Sequence, residues 1–283
     1  MKRLLLITFI VISTFSQSYA GGAWVYGKNE GYFKLAENMI RSPYFFDGDG
    51  NVVDIPTISL YTSSLYAEYG LGKNFNVIAY VPFFVRSTLN KVVFNQSGDT
   101  IEGEELNAFG DSQLAFKYGW SQDKPIVFSV SLVLGLPLGS SEVTSEKILQ
   151  TGDGEFNQMI RLDASHSFYP APFYVSAYTA FNNRTKDFSD DFRIGGEFGY
   201  AGSKVIAILK VQSVQSLYNG VPNGQSNSEG SMFGNNIEYV SITPELNYLV
   251  SESFGISTSA GFAPAAKNQL ASPNFSFGLF YQL

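Results

Sequence analysis

Strict alternation of apolar and mixed side chains is the sequence feature that most limits what this chain can fold into. From Phe75 to Arg86 every second side chain is apolar, and residues 111–120 and 126–136 repeat the pattern. A period of two residues indicates β-strands, because neighbouring side chains in a strand point to opposite faces. The same rule holds for residues 32–40, 60–71, 160–168, 173–182, 192–200, 205–212, 240–250, 254–262 and 275–283.

These twelve segments are joined alternately by short and long connections. The short ones lie at residues 72–74, 121–125, 169–172, 201–204 and 251–253, and the long polar ones at residues 47–56, 87–110, 139–155, 183–191, 216–236 and 264–273. Short periplasmic turns and longer extracellular loops are typical of outer-membrane barrels. We therefore predict an all-β fold, a transmembrane antiparallel up-and-down β-barrel of about twelve strands, surrounded by the lipid of the bacterial outer membrane.

Aromatic residues cluster beside the short connections, on the apolar face of the strands. In a membrane barrel they would form the girdle at the periplasmic interface. The residues are Tyr69, Phe75, Trp120, Phe168, Phe173, Tyr200, Tyr248, Phe254 and Tyr281. The first predicted strand fits the pattern less well than the others, because Glu37 falls on its apolar face.

The first twenty residues have the pattern of a signal peptide. Lys2 and Arg3 precede an apolar run over residues 4–12, and Ser18 and Ala20 occupy the positions expected before a cleavage site. We predict a signal peptide at residues 1–20 and an outer-membrane β-barrel at residues 21–283. Whether residues 21–29 enter the lumen as a plug is left open by the sequence.

Charge and cysteine content exclude several classes of function. The sequence holds 18 Lys and Arg and 25 Asp and Glu, so loss of Lys2 and Arg3 leaves 16 − 25 = −9. That negative balance, with no clustered basic face, argues against a nucleic-acid partner. The absence of cysteine excludes disulfides, thiolate metal sites and cysteine nucleophiles. We expect no cofactor.

Alternation also predicts which side chains face the lumen. Acidic, basic and aromatic residues share that face, which indicates ion pairs instead of a filter of one sign. They form an aromatic-lined path for small solutes, or they simply fill a narrow barrel. The candidates are Tyr66, Glu68, Tyr80, Phe84, Arg86, Asp111, Lys117, Arg161, Asp163, Tyr174, Tyr178, Arg193, Glu197, Lys210 and Glu245.

Two motifs that could carry other chemistry are judged insufficient. Asp47 begins a stretch like a calcium loop, but Val52 stands where glycine is expected and Ile58 where glutamate is expected, so we predict a polar turn and no metal. His166, the single histidine, falls on the lipid face, whereas Ser165 and Ser167 fall on the lumen face. We therefore predict no enzyme activity.

The end of the chain alternates apolar residues at Phe277, Leu279, Tyr281 and Leu283. This resembles the C-terminal signal by which the outer-membrane insertion machinery recognises its barrels, so we expect that machinery to be a partner.

One internal segment suggests a family. Residues 110–118 read G-D-x-x-L-x-x-K-Y, and residues 66–70 (YAEYG) and 135–139 (GLPLG) accompany it. The order and spacing resemble a family of outer-membrane barrels associated with meta-pathway phenol degradation. The resemblance implies a transporter-like barrel for aromatic or other hydrophobic compounds. From the alternating loops, the aromatic girdle and the polar lumen we expect a channel for passive passage of small solutes; the alternative is a structural or surface-interaction barrel with a filled lumen.

Overall fold

A computed structural model describes residues 21–93, 98–141, 148–221 and 232–283, and the predicted signal peptide lies outside these ranges. Within them no helix is long and apolar enough to cross a membrane. The strands are β1 (Gly31–Phe46), β2 (Val52–Gly72), β3 (Phe75–Leu89), β4 (Val92–Val93), β5 (Thr100–Ile101), β6 (Glu104–Ala108), β7 (Ser112–Trp120), β8 (Ile126–Leu136), β9 (Asn157–Ser167), β10 (Phe173–Arg184), β11 (Asp191–Ala201), β12 (Val205–Ser216), β13 (Glu238–Leu249), β14 (Phe254–Lys267), β15 (Gln269–Leu270) and β16 (Asn274–Gln282).

Twelve long strands form one antiparallel sheet that closes on itself. β1 pairs with β2 on one side and with β16 on the other, and each remaining long strand pairs with its neighbours in chain order. The short strands β6 and β15 add to β3 and β1, and β4 pairs with β5. Closure leaves the long strands without an edge, as a membrane requires. The prediction of a twelve-stranded up-and-down barrel is confirmed.

Apolar side chains face outward and polar side chains face inward, which is the reverse of the arrangement in a water-soluble protein. Leu132 and Ile160 on the outer surface are 43% and 57% exposed, whereas Ser129 and Asp163 on the inner surface are 0% and 3% exposed. An apolar exterior around a polar interior is the arrangement that lipid stabilises. The chain thus spans a membrane with its strands.

The predicted aromatic girdle surrounds the end of the barrel that carries the short turns. Eight of its nine residues are exposed on the outer surface, and Tyr69 is half-buried against Asn29. Neighbouring rings of the girdle contact one another, as Phe173 and Tyr200 do at 5.5 Å between centroids. The girdle therefore marks the periplasmic interface, where amphipathic rings lie most favourably.

The connection between β1 and β2 is shorter than predicted. We expected a long loop at residues 47–56, but the two strands continue to Phe46 and from Val52, and only five residues join them. Asp47 Oδ1 accepts the backbone N–H groups of Asp49 and Asn51 at 2.9 and 2.8 Å. This side chain closes the turn in the place of further loop residues.

A β-bulge in β3 overturns the predicted orientation of Phe84 and Arg86. Ser64 of β2 pairs with Pro82 whereas Ser63 pairs with Phe84, so Phe83 is an extra residue. One extra residue exchanges the two faces for the rest of a strand. Phe84 is therefore 45% exposed on the outside.

Arg86 lies on the same outer surface, where its Nη2 is 2.8 Å from Glu105 Oε2. Beyond the bulge, Val85 and Leu89 point inward and are each 3% exposed. Assigning Phe84 and Arg86 to the lumen was wrong because alternation does not reveal a bulge. Glu37, by contrast, lies on the outer surface as its position in β1 predicts, and it accepts a hydrogen bond from Ser63 Oγ.

Candidate functional site

The lumen brings thirteen of the fifteen predicted lining residues together, Phe84 and Arg86 being the two outside it. Most of the charged ones occur in ion pairs. On the wall formed by β2, β3 and β7, Lys117 Nζ lies 3.3 Å from Glu68 Oε1, and both side chains are 5% exposed. Asn76 and Tyr66 donate to the two oxygens of the Glu68 carboxylate at 2.8 and 3.1 Å. The pair is thus held in one geometry by neutral donors.

Arg161 and Asp163, both on β9, form a second pair with 2.7 Å between Nη2 and Oδ1. The guanidinium also lies over the ring of Tyr178, 3.8 Å from its centroid. A planar cation between a carboxylate and an aromatic face is fixed from two sides. This arrangement presents a rigid polar and aromatic surface to the lumen.

Glu245 of β13 lies between two lysines. Its oxygens are 2.7 Å from Lys210 Nζ and 3.5 Å from Lys34 Nζ. Farther along the barrel, Arg193 contacts Asp191, whose other oxygen accepts from Asn182 at 2.9 Å. Acidic and basic groups therefore alternate around the wall.

A cavity of about 630 Å³ occupies the middle of the barrel. Aromatic side chains contribute to its wall, and Tyr32 stacks on Phe280 at 5.5 Å between centroids. Smaller cavities of about 180 Å³ and 400 Å³ lie beside Lys117 and beside Asp153. The aromatic lining comprises Tyr26, Tyr32, Tyr66, Tyr80, Tyr178 and Phe280.

The segment that precedes β1 forms the floor of the large cavity, at the end with the short turns. Ala23 is fully buried and its N–H donates to Ser165 Oγ at 2.8 Å. Gln122 binds the segment twice, donating to Ala23 O at 3.0 Å and accepting from Val25 N at 3.2 Å. Trp24 packs edge-on against Tyr174. The part of the segment up to Tyr26 thus enters the lumen, which the sequence left open.

The described residues of the connection between β8 and β9 form a roof at the extracellular end. Leu149 is 1% exposed in a cluster with Phe45, Ile58, Leu89 and Leu270, which come from other strands of the wall. Met232, from the connection between β12 and β13, packs against this cluster and also lines the large cavity. Sequence reasoning missed this roof, because the loop residues that build it show no periodicity.

Hydrogen bonds and ion pairs also connect the roof to the rim of the barrel. Asp111 accepts the N–H groups of Gly139 and Asp153 at 2.9 and 2.8 Å. Arg184 reaches from β10 to Asp153 at 2.6 Å and to Glu155 at 2.7 Å. Burial raises the pKa of Asp153 to about 7, and the nearby carboxylates of Asp111 and Glu155 act in the same direction. Arg184 opposes this shift.

The residues considered for other chemistry are not assembled for it. His166 lies on the outer surface, where its Nδ1 is 2.7 Å from Pro125 O and its ring meets Phe168. Ser165 lies on the other face, 2.7 Å from Ser176 Oγ. Among the described residues no group of three or more histidine, aspartate or glutamate side chains is arranged to hold a metal ion.

No protein-family model and no curated protein matches the chain, so the resemblance to the phenol-degradation family is not confirmed. Solved structures do match. The COG4313 outer membrane channel from Pseudomonas putida F1 superimposes with a TM-score of 0.64 at 11% identity, over 93% of this chain and 98% of that chain. The NanC porin gives 0.53 at 10% identity, over 89% and 100%. At such identities the likeness shows the fold, and the chain is an outer-membrane β-barrel.

Proposed function

We propose that the barrel is a channel for passive passage of small solutes, and that aromatic or other modestly apolar solutes are the class it accepts. The observation that carries the proposal is the cavity of about 630 Å³ between the floor and the roof. Cavities of roughly 300–1,000 Å³ are the size that binds small molecules. The two channels named above share this fold, which is compatible with such a role.

The lining favours solutes that combine an aromatic ring with a polar group. Tyr80 offers an aromatic ring to the cavity, and paired charges such as Arg161 and Asp163 leave no filter of one sign. Ion pairs within the wall also reduce its attraction for a free ion, because each paired charge already has a partner. We therefore expect weak charge selectivity and a preference for ring-bearing solutes.

The proposal can be tested with protein reconstituted in planar bilayers and in liposomes. Single-channel current should be observed, and swelling in an aromatic alcohol should exceed swelling in an aliphatic polyol of similar mass. Tyr80→Ala should reduce that preference. Tyr118→Ala, on the lipid face and 39% exposed, is the matched control and should leave it unchanged. A barrel that carries neither current nor solute would contradict the channel.

A structural or surface-interaction barrel is the second candidate, and the filled ends of the lumen favour it. Ala23 at the floor is fully buried and Leu149 in the roof is 1% exposed. If these segments close the barrel permanently, wild-type protein should be silent and impermeable while folded. A variant lacking residues 148–152 should then conduct, whereas for a channel it should only increase an existing current.

A further inference from the structure

The chain just after the predicted cleavage site is shaped to lie deep in the lumen. Gly22 has a φ of +76°, and a Cβ at this position would lie 2.5 and 2.6 Å from the hydroxyl oxygens of Ser176 and Ser165. Glycine is the residue that combines this backbone conformation with so close an approach. Gly21 precedes it and lines both the large cavity and the smaller one beside Lys117.

Gly21 lies close to the carboxylate of Glu197. A methyl group placed on its Cα would lie 3.8 Å from Glu197 Oε1. This oxygen is buried, and it has no hydrogen-bond partner among the described residues. Glu197 of β11 therefore offers this oxygen as an acceptor toward the first residue of the segment; Tyr174 and Lys210 are the wall groups that act on the same carboxylate.

Glu197 differs in this respect from the other acidic residues around the cavity. Glu68, Asp163 and Glu245 each form a salt bridge with a basic side chain. Glu197 takes part in none of the salt bridges between described residues. A carboxylate removed from water is costly unless a positive charge or donors compensate it. The position of Gly21 makes its nitrogen a suitable source of that charge.

We propose that the mature chain begins at Gly21 and that its α-ammonium group is the ion-pair partner of Glu197 inside the lumen. Hydrolysis of the Ala20–Gly21 amide consumes one water; the carboxylate leaves with Ala20 and the nitrogen stays on Gly21. At neutral pH this amine is mostly protonated. Processing thus changes an uncharged amide into the cation that fixes the floor of the cavity. An ion-paired floor of this kind is distinct from conduction itself.

The first measurement is the N-terminus of protein purified from outer membranes. Mass spectrometry of the N-terminal peptide should show Gly21 as its first residue. A chain that starts at any other residue would place a different group beside Glu197 and would overturn the proposal.

The second measurement is the rate at which a small acylating reagent modifies the α-amine, followed by mass spectrometry of the same peptide between about pH 6 and pH 9. Wild-type protein should react about tenfold more slowly than Glu197→Gln, because a neighbouring opposite charge favours the protonated amine. The midpoint of the rate profile should also move to lower pH in the variant. Greater exposure of the amine in the variant would instead move the midpoint to higher pH, because burial disfavours the protonated form.

Glu30→Gln is the matched control, because Glu30 belongs to the same segment but accepts from Gly27 N at an exposed position. It should react like wild type. Equal profiles for wild type and Glu197→Gln, in barrels that both keep their folded electrophoretic mobility, would overturn the ion pair. Should the Gln variant fail to insert, Glu197→Asp shortens the side chain and must also raise the rate; an unchanged rate would again overturn it. Neither measurement requires the barrel to carry current.

Discussion

Arg184 of β10 binds Asp153 of the roof, with 2.6 Å between Nη2 and Oδ2. The contact joins a loop that begins after β8 to a strand two positions farther around the barrel. Asp111, Glu155 and Lys186 are the other charged groups around this site, and Lys186 Nζ donates to the carbonyl of Gly154. The roof is therefore held by a cluster of charged groups that includes Asp153, whose pKa burial raises to about 7.

Roof stability should fall as pH rises from about 4 to about 7. The pKa of Asp153 is raised to about 7 in the folded protein, mainly by burial, so the folded state binds more protons than the unfolded loop in this window. Asp153→Asn should remove most of the dependence. Proteolysis or hydrogen exchange of residues 148–156 as a function of pH measures it, with exposed Asp123→Asn as control. Equal pH profiles for Asp153→Asn and wild type would refute the assignment.

Leu149 anchors the roof by burial. Leu149→Ala should destabilise the closed arrangement by roughly 2–5 kcal/mol, the usual cost of this truncation at a buried site. Single-channel recordings should show higher conductance or more frequent large openings. Leu138→Ala, in the same connection but 58% exposed, should behave like wild type. An unchanged current in Leu149→Ala would show that the roof does not limit passage.

Glu68 and Lys117 make a buried pair whose members depend on each other. Lys117→Met should lower the unfolding free energy by roughly 3–5 kcal/mol, because it leaves a carboxylate buried without its cation. The exposed pair of Lys124 and Asp123, whose side chains are 65% and 80% exposed, provides the control. Lys124→Met should change stability little. Urea unfolding in lipid vesicles compares the two, and similar effects would contradict the role of burial.

Gly22 should be the most sensitive position of the floor. Gly22→Val combines an unfavourable φ with a collision against Ser165 and Ser176, so the segment should leave the lumen. Conductance should increase, and protease should reach the segment. Gly98 has the same φ of +76° but nothing within 4 Å of an added Cβ. Gly98→Val therefore controls for backbone strain alone, and equal conductance in the two variants would argue against the inserted floor.

The sequence predicted the parts of the fold that depend on local alternation. β8 begins at Ile126 and ends at Leu136, as predicted. The charged residues of β7 and β9 line the lumen, as their alternating positions in the sequence predicted. The position of a residue in a regular strand determines which face its side chain is on, because the period of two residues is fixed by backbone geometry. Strand number, the lipid-facing surface and the girdle were therefore readable without any tertiary contact.

Tertiary structure decided what happens where that geometry is interrupted or where distant segments meet. The bulge at Phe83 reversed the faces of Phe84 and Arg86, since a single extra residue leaves no mark in the pattern of apolar residues. The contents of the lumen depended on contacts across long stretches of chain, such as Ala23 with Ser165 and Leu149 with its cluster. Such contacts depend on which segments closure brings together, and this information is not present in any one stretch of sequence.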